Sequence, residues 1–236
     1  MLDPKIILKQ FSKWTDPYHE FYKYLVCGTE GVYATDGSRI VVTNFYKLAE
    51  YRLYDEIGSN HTSEIEIPRG LNFSQYATVQ EFIKGHLVEK LERIVKSNSE
   101  YVCSEKVDMV SIDTLRQIRQ TMNYIVSMNK SDDNKPVYVR LKDKTLYLVS
   151  SSYDSLEIKI SLHFYAGIEF SGFFRAVYIK DLMDLLISTK TLEFNLAITT
   201  GTVPGLVVKS DEFTAIVSGL RANENITEKY NKIVEG

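Results

Sequence analysis

Between Pro136 and Phe164 the sequence runs PVYVRLKDKTLYLVSSSYDSLEIKISLHF, with apolar and polar residues alternating through three short runs divided by polar turns. Period two is the period of a strand, because successive side chains leave opposite faces of a sheet. The run therefore predicts three antiparallel strands with one packed face and one wet face. Helices to cover the packed face lie on both sides in sequence. Ser111 can cap IDTLRQIRQTMNYIV, whose Ile112, Leu115, Ile118, Met122 and Ile125 form an apolar stripe. After the strands, FFRAVY runs into the helix IKDLMDLLIST, and LEFNLAI, GLVVKSD and FTAIVSGLR add three more strands. A polar tail that can form a helix, ANENITEKYNKIVEG, closes the chain.

The first half starts in the same order. Asp3 and Pro4 open the helix DPKIILKQFSKW, with Ile7, Phe11 and Trp14 on one side and Lys5, Lys9 and Lys13 on the other. FYKYLVC and GVYATDGSRIVVTNF read as strands, and the Asp36-Gly37 pair marks a tight hairpin. SEIEIPRGLNF then leads to TVQEFIKGHLVEKLERIVK, which is helical by the recurrence of Phe82, Ile83, Leu87, Leu91 and Ile94. An order that returns after about 110 residues predicts two related units. They are placed at 1–106, poor in strands, and at 107–236, which carries the tail. The fold class is α+β, with helices on one face of antiparallel sheet.

The 236 residues carry a formal net charge of −3, which excludes a protein that is basic all over but not a local basic face. No stretch approaches the roughly 20 apolar residues of a membrane span, and MLDPKIILKQ lacks the basic-then-apolar pattern of a secretory signal. A soluble, cytoplasmic protein is expected. Cys27 and Cys103 belong to no CxxC or Cys/His cluster, and His19, His61, His86 and His163 stand far apart. No nucleophile elbow, HExxH or P-loop is present, and the acidic pair Asp132-Asp133 reads as a solvated turn. The expectation is a protein that is not an enzyme and has no metal and no cofactor.

YATDGSRI, followed after a loop by IEIPRG and a helix, resembles the bacterial DNA polymerase III beta subunit, the sliding clamp. In that family an Ala-Thr-Asp-Gly-His-Arg-Leu hairpin precedes a Val-Pro-Arg strand that opens a helix. GLVVKSDEFTAIVSGLR is similar to the family's closing strands, which end in a short apolar segment and an arginine. Ser38 stands where the family has histidine, Ser218-Gly219 replaces a Met-Pro-type pair, and two units stand in place of three.

The resemblance implies a DNA-clamp-like fold and a processivity factor that encircles or contacts duplex DNA without sequence preference. It implies a groove for short peptides of polymerases or loaders, with Thr35, Gly37, Ser38, Arg39 and Ile40 as one wall and Val217, Leu220 and Arg221 opposite. A closed ring would take three copies of a two-unit chain. Lys5, Lys9, Lys13, Lys84, Lys90, Arg93, Lys96, Arg116 and Arg119 are the cations expected to face DNA, meeting phosphates without fixed register. The alternative is a clamp-fold adaptor that binds proteins without encircling DNA.

Overall fold

A computed structural model describes residues 9–43, 46–70, 73–100, 102–107, 110–128, 136–151, 157–163, 169–199 and 203–235. The chain divides into two compact units, one of residues 1–100 with 211–216, the other of residues 101–210 with 217–236.

In the first unit, β1 (Leu25–Cys27), β2 (Val32–Thr35), β3 (Arg39–Thr43) and β4 (Arg52–Tyr54) lie in the order β4-β1-β2-β3. The strand β12 (Phe213–Ser218) follows β3 in that order, and its residues 213–216 group with this unit. The pairings β4/β1, β1/β2 and β2/β3 are antiparallel. The register sets Val26 opposite Tyr33 and Leu53, and Thr35 opposite Ile40, so the core residues of these strands share a face. That face is covered by a helical stretch built from α1 (Val79–Phe82), a π-helical segment (Ile83–Val88) and α2 (Glu89–Glu100). Phe82, Ile83, Leu87, Val88 and Leu91 pack against Val26, Tyr33, Ile40, Tyr51 and Leu53. The apolar pairs 82/83 and 87/88 lie five apart, one residue more than an α-helical repeat. The Glu89 amide accordingly reaches back to the Lys84 carbonyl, which absorbs the extra residue and keeps both pairs on the sheet.

The start of α1 is a capping box. The Thr78 side chain accepts from the Glu81 amide, and the Glu81 carboxylate accepts from the amides of Thr78 and Ala77. Gln80 then exchanges two hydrogen bonds with the Tyr51 backbone, at 2.8 Å each, fixing the helix to the strand side of the unit.

In the second unit, β5 (Val102–Val107), β10 (Phe194–Thr199) and β11 (Gly205–Lys209) form antiparallel pairs in the order β11-β10-β5. Residues 102–106, placed with the first unit on sequence grounds, thus pair inside the second. A four-stranded antiparallel sheet runs β8-β7-β6-β9, from β6 (Pro136–Lys142), β7 (Thr145–Ser151), β8 (Glu157–His163) and β9 (Phe170–Arg175). The helices α3 (Ile112–Met128) and α4 (Ala176–Thr189) enclose the core with both sets of strands. Leu115 and Ile118 of α3 and Ile179, Leu182 and Leu186 of α4 surround a small apolar cavity with Val139, Leu148, Leu196 and Val208.

The opposite face of the four-stranded sheet was expected to be wet. It is covered. Tyr138 and Val149, directly opposite each other in register, are fully buried beneath the C-terminal helix α5 (Glu224–Glu235), together with Phe173, Tyr230 and Val234. The near-continuous apolar runs PVYV and FF mark where β6 and β9 are buried on both faces, at Tyr138 and Phe173.

Candidate functional site: hairpin, closing segment and cationic helix faces

The hairpin between β2 and β3 closes on its own side chains. One Asp36 carboxylate oxygen accepts the amides of Ser38 and Arg39, both at 2.9 Å. The Thr35 hydroxyl donates to the Arg39 carbonyl at 2.7 Å and accepts the Gly37 amide at 3.0 Å. Gly37, at φ 86°, takes the left-handed turn position that a side chain would strain.

Arg39 and Ile40 were expected in the wall of a groove. In the free chain both are turned inward. The Arg39 guanidinium pairs with Asp36 at 2.8 Å, donates to the Lys13 carbonyl and is only 6% exposed. Ile40 is 7% exposed and belongs to the core beneath the helical stretch, because alternation in β3 sends it to the helix side once Arg39 faces the other way. Thr35 is buried as well, so Gly37 and Ser38 alone among the five expected wall residues reach solvent.

Of the closing residues, Val217 is fully buried, Leu220 half-buried and Arg221 exposed. The Leu220 amide donates to the Phe173 carbonyl and the Gly219 amide to the Pro204 carbonyl, each at 2.6 Å. A Cβ on residue 219 would stand 2.6 Å from that carbonyl oxygen, so glycine is required by close approach of two backbones. Leu220 packs on the aromatic cluster of Tyr138, Phe173 and Tyr230. Sequence reasoning missed this cluster, and its signal was the doubly apolar strands.

Among the expected DNA-facing cations, Lys5 lies outside the described residues. Lys9 is exposed and Lys13 half-buried. Lys84, Lys90, Arg93 and Lys96 are exposed along the helical stretch of the first unit. Two acids of the same stretch have structural partners: Glu81 serves the capping box, and Glu92 accepts the Tyr33 hydroxyl at 2.7 Å. Burial and Glu92 together push the Tyr33 phenol up, so it donates as a neutral hydroxyl. Arg116 and Arg119 on α3 are both exposed, and each has a carboxylate partner. Arg116 pairs with Asp113 at 3.1 Å, and Arg119 reaches Asp184 of α4. Lys180 also touches Asp184, at 3.4 Å, and Asp181, at 3.1 Å. Burial works against the Lys180 charge, but the two carboxylates outweigh it and raise its affinity for the proton.

Among the described residues no cluster of His, Cys, Asp and Glu is arranged to hold a metal, and no helix is long and apolar enough to cross a membrane. Burial pushes the Cys27 thiol up to about 12, which leaves it an unreactive core group.

Antiparallel sheet backed by helices is the architecture of the DNA sliding-clamp fold. In fold the chain is similar to the DNA polymerase sliding clamp of Bacillus subtilis, with 11% identity and a TM-score of 0.59 over 93% of this chain and 62% of that one. The beta subunit of DNA polymerase III from Thermotoga maritima gives 15% identity and a TM-score of 0.59, over 94% of this chain and 65% of the other. The Helicobacter pylori beta clamp, solved with a DNA ligase peptide bound, gives 8% and 0.55, over 93% and 66%. The chain thus spans just under two thirds of the length of these clamps. No protein-family model and no curated protein matches the sequence.

Proposed function

We propose that the chain is a non-enzymatic, sliding-clamp-like processivity factor that meets duplex DNA without sequence preference and recruits proteins through short peptide segments. The observation that carries this reading is the exposed series Lys84, Lys90, Arg93 and Lys96 along one helical stretch, with Glu81, Glu89 and Glu92 as the interleaved acids. Long cationic side chains meeting phosphates loosely give attraction without register, which is what a protein that slides requires. Peptide docking falls to the closing segment, with Leu220 half-buried and Arg221 exposed. Three copies would close a ring, acting in the cytoplasm on the DNA itself.

The test is binding to closed circular duplex DNA, with Lys84, Lys90, Arg93 and Lys96 all changed to Glu. Binding should be lost, and in the wild type its logarithm should fall with the logarithm of salt at a slope of about −0.9 for each phosphate neutralised. Wild-type binding indifferent to salt would end the proposal.

A second reading, an adaptor of clamp fold that never encircles DNA, draws on the pairing of Arg116 with Asp113 and of Arg119 with Asp184. A monomeric solution mass together with no affinity for DNA would establish it over the first.

A further inference from the structure

The C-terminal helix α5 sits on the outer face of the four-stranded sheet much as a bound ligand would. Its buried residues are Tyr230 and Val234, four apart on one side. The Tyr230 ring meets Phe173 edge-on at 5.0 Å and lies 5.5 Å from Tyr138. Beside this apolar contact stands a polar one. Arg140, which follows Tyr138 on the same face of β6, donates to the Asn231 side chain at 2.9 Å and to the Glu235 carboxylate at 3.0 Å. The Tyr138 hydroxyl donates to the same Asn231 oxygen. The helix is 12 residues long, a length at which an isolated helix is marginal in water, so docking is what holds it. Its first turn does not join the cluster: Ile226 is 44% exposed and Asn223 and Glu224 face solvent.

We infer that α5 is a displaceable internal ligand, and that the face of Tyr138, Arg140, Val149 and Phe173 receives a partner's amphipathic helix of the same chemistry. That helix carries an aromatic residue, an amide at the next position, an aliphatic residue four on and a carboxylate five on. The ring fills the place between Tyr138 and Phe173, the aliphatic side chain covers Val149, and the carboxylate takes the Arg140 guanidinium, whose fixed fork suits it. Tethering makes α5 a strong competitor, because its effective concentration is set by the short connector at 219–223. Leu220 packs on the same cluster, so displacement also alters the surroundings of a residue assigned above to peptide docking. That consequence rests on the proposed function; the exchange does not.

The experiment uses the full chain and a fluorescent peptide of residues 223–235. Wild type should capture the peptide at least about tenfold more weakly than the full-length double variant Tyr230→Asp, Val234→Asp, whose own helix cannot dock. Adding Arg140→Met to that variant should weaken capture about tenfold again. Hydrogen exchange of wild-type α5 should proceed by local opening, faster than in α3 and α4. The inference is overturned if the double variant melts cooperatively yet captures nothing, or if α5 is as protected as α3. It is also overturned if wild type forms dimers by exchanging α5 between copies. Capture is read without DNA, so its failure is separable from a failure of the proposed clamp role.

Discussion

The guanidinium of Arg39 lies over the indole of Trp14, 5.2 Å from the ring centroid, so the residue after the hairpin turn secures the N-terminal helical segment. Residues 9–11 are helical and run into the 3-10 turn Ser12–Trp14, where Lys13 offers its carbonyl to the same guanidinium. One side chain thereby joins the turn, through Asp36, to a segment more than twenty residues earlier. An arginine suits this position because its planar group stacks on the ring while its edge donates in several directions.

Changing Arg39 to Ala should therefore destabilise the fold by about 3–5 kcal/mol, the usual cost of leaving one member of a buried ion pair without its partner. Arg39→Lys should recover little, since an ammonium cannot stack and bridge together. Urea denaturation followed by tryptophan fluorescence reports both, because the one tryptophan is Trp14. Equal stability in all three proteins would return Arg39 to a role on the surface.

Two histidines should give the first unit opposite responses to pH. His86 stacks on Phe82 at 5.1 Å and meets Phe73 and Phe21 edge-on, and its burial, helped by Lys90, pushes its pKa down. The stability it contributes is present above the unfolded value of about 6.5 and is lost as pH falls through the folded value. His61 lies between Glu64 at 2.8 Å and Asp55 at 2.9 Å, and those carboxylates raise its pKa. Its contribution is complete below about 6.5 and disappears as pH rises through the folded value. Thermal melts between pH 5 and pH 8 should accordingly show His86→Phe with a flatter acid side and His61→Ala with a flatter alkaline side. The reverse assignment would refute both environments.

Gly219→Ala should lower stability by about 1–3 kcal/mol, the range for forcing an extra methyl into a filled space. The added Cβ meets the Pro204 carbonyl, a backbone atom that cannot swing aside as a flexible side chain would. Gly85→Ala makes a useful comparison, because its nearest neighbour is a side chain, the half-buried Tyr76 ring, and not a backbone atom. A calorimetric comparison should rank Gly219→Ala as the more damaging.

Leu186→Ala should cost about 2–5 kcal/mol, as expected for deleting a fully buried side chain beside an existing void. The altered cavity should also admit xenon, detectable as a chemical-shift change among the methyl groups of Leu115, Ile118 and Leu196.

The hairpin was legible in sequence because Asp36 and Gly37 act locally, Asp36 through its carboxylate on the amides of Ser38 and Arg39 and Gly37 through its own φ. Helix existence was legible for the same reason, from the spacing of Leu115, Ile118, Met122 and Ile125. The destination of Arg39 was not, since the partners Trp14 and Lys13 come from another element and leave no mark near residue 39. Alternation in β6 suggested one wet face because Arg140 and Lys142 read as solvent-facing, yet Arg140 is bound by Asn231 and Glu235 from the far end of the chain. The cations on α3 looked equivalent to those on α2, and only tertiary packing sets Asp184 against Arg119. The clamp fold was visible from two short motifs together with element order, whereas the inward turn of Ile40 depended on the strand register.

The π-helical segment at residues 83–88 sets the direction in which the cations beyond it point. An α-helix advances about 100° per residue, so one residue absorbed without lengthening the turn carries everything downstream back by about that angle. Lys90, Arg93 and Lys96 therefore point a quarter-turn or more away from where an uninterrupted helix would aim them, while Leu91 stays on the sheet. Deleting Gly85 would remove the absorbed residue and restore regular winding, while every residue after it keeps both its order and its present azimuth. Such a deletion separates the winding of the segment from the direction and number of the charges, which it leaves in place.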